Sequence, residues 1–170
     1  MKTGKPSKSN RIQGNCVTSD KLSLNIKNLE KDFYRADLVF YDLENAVPSY
    51  EGRVFLNNPN ADINTPKDLQ HGYVGSFFVF GHGSCLGDAG HCDVHAQREK
   101  FDFVPNPLRP QTISLVITDQ LKKLAKKSKD FTITVCPNIT RPPIINQEEV
   151  DMENVVKYSK VSIHTYDKET

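Results

Sequence analysis

The chain has 170 residues, 37% of them apolar and 25% charged, with 22 basic against 21 acidic side chains and a formal net charge of +1. That length suits one domain with room for a core, and the balanced charge excludes a global electrostatic pull toward nucleic acid or a membrane surface. No apolar run reaches the roughly 18 residues of a transmembrane helix, and four cysteines are too few for a disulfide scaffold.

Residues 1–20, rich in Lys, Ser, Asn and Gly, read as a disordered tail. The first ten carry positive charge with no apolar segment behind it, so no secretion signal is expected and the predicted location is cytoplasmic. Leu22, Leu24 and Ile26 alternate with polar residues and predict a short edge strand. Residues 36–43 (ADLVFYDL) form a stronger strand. Residues 49–57 form another, which ends at the turn signal Asn57-Asn58-Pro59-Asn60. Residues 73–80 (YVGSFFVF) read as a buried strand. Pro105, Pro107 and Pro110 make 97–110 irregular, and 111–117 alternates as a strand. A short helix follows over 118–127, with Thr118 as N-cap, Asp119 at its positive end, and Leu121 and Leu124 pointing inward. Residues 130–136 form a strand that Pro137 stops, and 154–166 holds a strand pair or one long strand. Six to eight short strands with one short helix predict an all-β fold: a single antiparallel β-sandwich over 21–166, with 1–20 and 167–170 as tails.

Chemistry concentrates in one place. Three of the five histidines and two of the four cysteines fall within residues 81–95, among glycines that let the backbone turn tightly. His82, Cys85, His91, Cys92 and His95 exceed the four ligands zinc needs, and thiolate with imidazole suits copper or zinc. The spacing matches no zinc-finger pattern. Cys85 and Cys92 close a local bridge in an oxidising compartment and are thiols or ligands in a reducing one; a packed glycine-rich loop whose histidines meet backbone carbonyls is the other reading. Other motifs carry less. The lysines at 122, 123, 126, 127 and 129 lack interleaved aromatics and read as a solvated helix face, so no nucleic-acid partner is expected. The alternation in Asn60-Ala61-Asp62-Ile63-Asn64 fails as a calcium loop, since Thr65 stands at its sixth position and His71 at its twelfth. Neither Ser76 nor Ser84 lies in a nucleophile elbow. A Cys85 nucleophile with His91 or His95 as base lacks an orienting third residue.

Four stretches, Glu51-Gly52-Arg53-Val54-Phe55-Leu56-Asn57-Asn58, Gly75-Ser76-Phe77, Ser114-Leu115-Val116-Ile117-Thr118-Asp119-Gln120-Leu121 and Thr132-Ile133-Thr134-Val135-Cys136-Pro137, occur in this order. With 155–164 as a closing strand pair, the succession over 35–166 resembles the C-terminal β-sandwich domain of polyphenol oxidases and tyrosinase-like proteins. That domain is related in architecture to the C-terminal domain of haemocyanins. The resemblance implies a non-catalytic accessory domain that packs against a tyrosinase-like copper oxidase domain, or a comparable protein partner, and shields its site. A type-3 copper centre uses six histidines on a helical bundle. This chain has five and no bundle, so the oxidase chemistry does not carry over and no catalytic residue is expected. The 81–95 loop is the predicted contact region. The alternative function is Cu(I) or Zn(II) binding or delivery through Cys85, Cys92 and two of His82, His91 and His95.

Overall fold

The computed structural model describes residues 11–23, 33–81, 109–125, 130–140 and 153–167. Its strands are β1 (Arg11–Gln13), β2 (Val17–Thr18), β3 (Leu22–Ser23), β4 (Arg35–Leu43), β5 (Tyr50–Leu56), β6 (Tyr73–Val79), β7 (Gln111–Val116), β8 (Asp130–Phe131), β9 (Ile133–Thr140) and β10 (Lys160–Tyr166). One helix, α1 (Thr118–Leu124), and a 3-10 turn (Leu69–His71) complete the described elements.

The expected all-β sandwich is what forms. A first sheet runs β1-β9-β5-β6, with β2 also on β9; a second runs β10-β4-β7; β3 and β8 make a small pair of their own. Every pairing is antiparallel. Alternation decides which side chains meet, because successive residues of a strand point to opposite faces. Val54 and Leu56 on β5, Phe77 and Val79 on β6, and Ile133, Val135 and Ile139 on β9 turn inward. They meet Ala36, Leu38 and Phe40 of β4 and Val161 of β10 in one buried cluster. The Phe40 and Phe77 rings sit 5.1 Å apart across the sheets, and Phe131 and Leu121 are buried in the same cluster. Gly52 lies against Phe77, where an added Cβ would stand 2.5 Å from the ring, so only glycine lets β5 and this phenyl approach.

Four expectations need correction. The first concerns the tail: residues 11–20, taken as part of it, hold β1 and β2, which pair with β9 at Asn138–Thr140 and Thr134–Val135. Polar composition hid this, because the stabilising partner lies more than a hundred residues away. The second is Pro137, which does not stop a strand but sits inside β9 opposite Gly52. On its other side it falls in the interval between β1 and β2, where no ladder needs the N–H that proline lacks. The third is Thr118, which is not the N-cap of α1. Ile117 holds that place without a side-chain cap bond, while Thr118 Oγ1 accepts from the Ala36 N–H at 3.0 Å. Together with Ile117 N–H donating to Ala36 O at 2.8 Å, this ties the strand-to-helix corner to β4. The fourth is 154–158, which carries no strand although Val155 and Val156 are buried; only β10 is regular there. The edge strand read over 22–26 is β3 at Leu22–Ser23, and positions 24–26 lie outside the described residues.

Candidate functional site

All five metal-ligand candidates, His82, Cys85, His91, Cys92 and His95, lie outside the described residues, as does most of the predicted contact loop. Its first residue, Gly81, is described. Its N–H donates to Ser49 Oγ at 3.0 Å, and a Cβ there would stand 1.8 Å from Val47 O, so the chain leaves β6 pressed against the Val47–Pro48 backbone. No group of three or more His, Cys, Asp or Glu side chains able to hold a metal occurs among the described residues.

What the structure brings together instead is the outer face of the first sheet. Glu51 and Arg53 alternate with inward residues of β5 and so share that face with Ser76 and Phe78 of β6 and Cys136 and Asn138 of β9. Glu51 is the hub. Its Oε1 accepts from Ser76 Oγ at 2.9 Å and pairs with Lys67 Nζ. Its Oε2 accepts from Asn138 Nδ2 at 3.0 Å and from Arg53 Nε at 3.2 Å. Burial alone would push this carboxyl's pKa up. Donation from Lys67, Asn138 and Ser76, with the Arg53 charge, outweighs it and holds the group at about 2.

The network clamps the chain between β5 and β6 onto the sheet. Arg53 Nη1 donates to Ile63 O at 2.5 Å, and Lys67 lies 5.9 Å over the Tyr73 ring. Ala61 packs with Phe55, Tyr73, Cys16 and Cys136 in a second small apolar cluster. Asp62, part of the rejected calcium pattern, spends its carboxylate on a turn: Oδ1 accepts from Asn64 N–H at 2.8 Å and from Thr65 Oγ1 at 3.0 Å. Asp68 does the same for the 3-10 turn, accepting from His71 N–H at 3.0 Å and meeting His71 Nδ1 at 2.7 Å. Those bonds hold the Asp68 pKa below the ordinary carboxylate range.

The clamp covers only part of the face. Beyond it, Phe78 and Phe80 stand 74% and 81% exposed, which corrects the reading of 73–80 as a buried strand. β6 borders the first sheet and shows one side outward. The two rings border an open groove of about 420 Å³ with Ser49, Tyr50, Glu51 and Asn138 on its walls. Tyr50 points to the core side, and its buried hydroxyl has no hydrogen-bond partner among the described residues; desolvation pushes that phenol's pKa up.

The outer face of the second sheet has its own polar group. His164 Nε2 lies 2.9 Å from Tyr41 OH and 2.8 Å from Ser162 Oγ, Arg35 Nε donates to Asp37 Oδ1 at 2.7 Å, and Lys160 covers the Tyr41 ring. Tyr34, Val116 and Tyr166 are exposed nearby. The two described histidines thus sit apart, His164 on the second sheet and His71 on the segment entering β6.

Sequence reading missed one covalent feature: Cys16 and Cys136 are joined by a disulfide that spans 120 residues. Cys16 falls in the predicted tail and Cys136 at a predicted strand end, and only the order of strands in the sheet makes them neighbours. Glu51 and Arg53 stand two apart in the strand predicted over 49–57, but their partners Lys67, Ser76 and Asn138 are distant in sequence.

No protein-family model and no curated protein matches the chain. Solved structures do. A recombinantly expressed latent aurone synthase, a polyphenol oxidase, matches with a TM-score of 0.50 and 15% identity over 99% of this chain and 26% of that one. Latent aurone synthase from its natural source matches with a TM-score of 0.50, 14% identity, and 99% and 27% coverage. The sandwich is therefore a fold shared with part of a polyphenol oxidase, and this chain spans about a quarter of the length of those structures.

Proposed function

We propose that the chain is a non-catalytic β-sandwich module of the polyphenol oxidase type, which docks on a tyrosinase-like copper oxidase domain and shields its site. The observation that carries the reading is the coverage: nearly all of this chain superposes on about a quarter of two enzymes described as latent. A module of that kind needs a face for the remaining polypeptide. Phe78 and Phe80 support the outer face of the first sheet in this role, since exposed aromatics beside a groove are typical interface anchors. The 81–95 loop follows directly on Phe80 in the chain and is the second segment assigned to this contact.

The test is size-exclusion chromatography of the chain with the tyrosinase-type copper domain of the same organism. A stoichiometric complex is expected, weakened at least tenfold when Phe78 and Phe80 are both replaced by serine, because such anchors contribute about 2 kcal/mol each. No complex at micromolar concentrations would refute the reading. The His/Cys cluster carries a second proposal, Cu(I) or Zn(II) binding, which rests on the clustering of His82, Cys85, His91, Cys92 and His95 in sequence. Equilibrium dialysis under reducing conditions tests it. Stoichiometric metal lost on replacing Cys85 and Cys92 by serine is expected, and a reduced protein that takes up no metal contradicts it.

A further inference from the structure

We infer that the Cys16–Cys136 disulfide is a redox switch that fastens the N-terminal segment to the border of the first sheet. The bridge joins β9 to the residue just before β2. The two cysteines differ in access: Cys136 is fully buried, whereas Cys16 is half-buried. Thiol attack therefore falls on Cys16 Sγ.

The reduced state is also provided for. Cys136 Sγ lies 3.2 Å from the Ala61 carbonyl oxygen, so the thiol formed there finds an acceptor. It also stays within the apolar cluster of Phe55, Ala61 and Tyr73. A soluble dithiol supplies the electrons. One of its thiolates attacks Cys16 Sγ, the S–S bond breaks, and Cys136 leaves and takes up a proton. The second thiol, as thiolate, attacks the dithiol's first sulfur in the mixed disulfide; the cyclic S–S bond forms, the bond to Cys16 Sγ breaks, and Cys16 is freed and protonated in turn. The dithiol ends as its cyclic disulfide, two electrons poorer, and the protein holds two thiols.

Without the bridge two short ladders and a few hydrogen bonds hold the segment. β1 and β2 contribute three and two paired residues. Asn15 N–H donates to Glu153 O at 2.7 Å and Ser19 N–H to Ile133 O at 2.8 Å. Thr18 and Thr134 hydroxyls meet at 3.0 Å, and Val17 is only partly buried. Such short strands at the border of a sheet belong to the part of a fold that opens first. Reduction lets 11–19 detach, which bares the β9 border of the sheet while the sandwich persists.

Residue-resolved hydrogen exchange tests this with the full chain in three forms: oxidised, reduced by dithiothreitol under native conditions, and Cys16→Ser, which keeps the Cys136 thiol. The amides of Asn15 and Ser19 are the probes, and those of Asn57, bonded to Thr132 O, and Leu121, bonded to Ile117 O, are the controls. Exchange at Asn15 and Ser19 is expected to quicken on the order of tenfold or more in both unbridged forms. Asn57 and Leu121 should hold their rates, and reoxidation should restore the probes. Unchanged rates at Asn15 and Ser19 overturn the proposal, and so does a disulfide that excess dithiothreitol leaves intact. An equal rise at all four amides also overturns it, because the bridge would then be a staple for the whole fold.

Discussion

Replacing Glu51 by glutamine preserves the side chain's shape but removes the charge to which Lys67, Arg53, Asn138 and Ser76 converge. The wild-type carboxyl is held at about 2 against an ordinary 4.5. At 1.36 kcal/mol per pH unit that fall corresponds to about 3 kcal/mol. The side chain keeps 13% exposure, and partial screening by solvent brings the figure to about 2 kcal/mol. The sign follows from linkage. A carboxyl whose folded pKa is depressed stabilises the fold fully above its unfolded value, and the contribution fades as pH falls through the folded value. The cost of Glu51→Gln should thus be complete at neutral pH, begin to shrink below 4.5, and nearly vanish at about 2. Urea unfolding followed by tyrosine near-ultraviolet circular dichroism, on both proteins at about pH 7, 4 and 3, measures it; less than half should remain at about pH 3. A cost that does not change with pH would show that the variant acts through packing, and that the network around Glu51 is not held by its charge.

Three further outcomes follow from particular contacts. Gly52→Ala drives a Cβ into the Phe77 ring, and a loss of about 1–3 kcal/mol is expected in the same unfolding assay; a neutral result would mean that the two sheets can shift apart. Thr118→Val removes the acceptor of the Ala36 N–H and should lower stability by about 1 kcal/mol, with faster exchange of the Ala36 amide as its local sign. Phe78→Ser, on an exposed ring, should leave the unfolding free energy within about 0.5 kcal/mol of wild type. A larger loss would place Phe78 in the packing of the domain and not on its contact face.

The frame was readable because its signals are local. Strand alternation in ADLVFYDL and the run around Val54 gave β4 and β5, and Ile117-Thr118-Asp119 marked the turn into α1. Where sequence reading went astray, the deciding partner was distant. Val17 has a strand to join only because Val135 lies beside it, and Pro137 fits β9 only because β1 and β2 leave an interval there. Phe77 and Phe78 are identical in kind, yet one fills the core and the other stands in solvent. A run of adjacent aromatics does not reveal that β6 borders a sheet with one open face. The same holds for the Cys16–Cys136 bridge and for the Glu51 network, which draws on residues 51, 53, 67, 76 and 138.

Phenol oxidation is the most direct measure of the account. The purified chain loaded with copper, the tyrosinase-type copper domain alone, and the two mixed in equal amounts should be assayed side by side on a catechol. The account predicts no turnover by the chain, full turnover by the copper domain, and a clear fall in the mixture that Phe78→Ser/Phe80→Ser relieves. Turnover by the solitary chain, or a mixture as active as the copper domain alone, would contradict it.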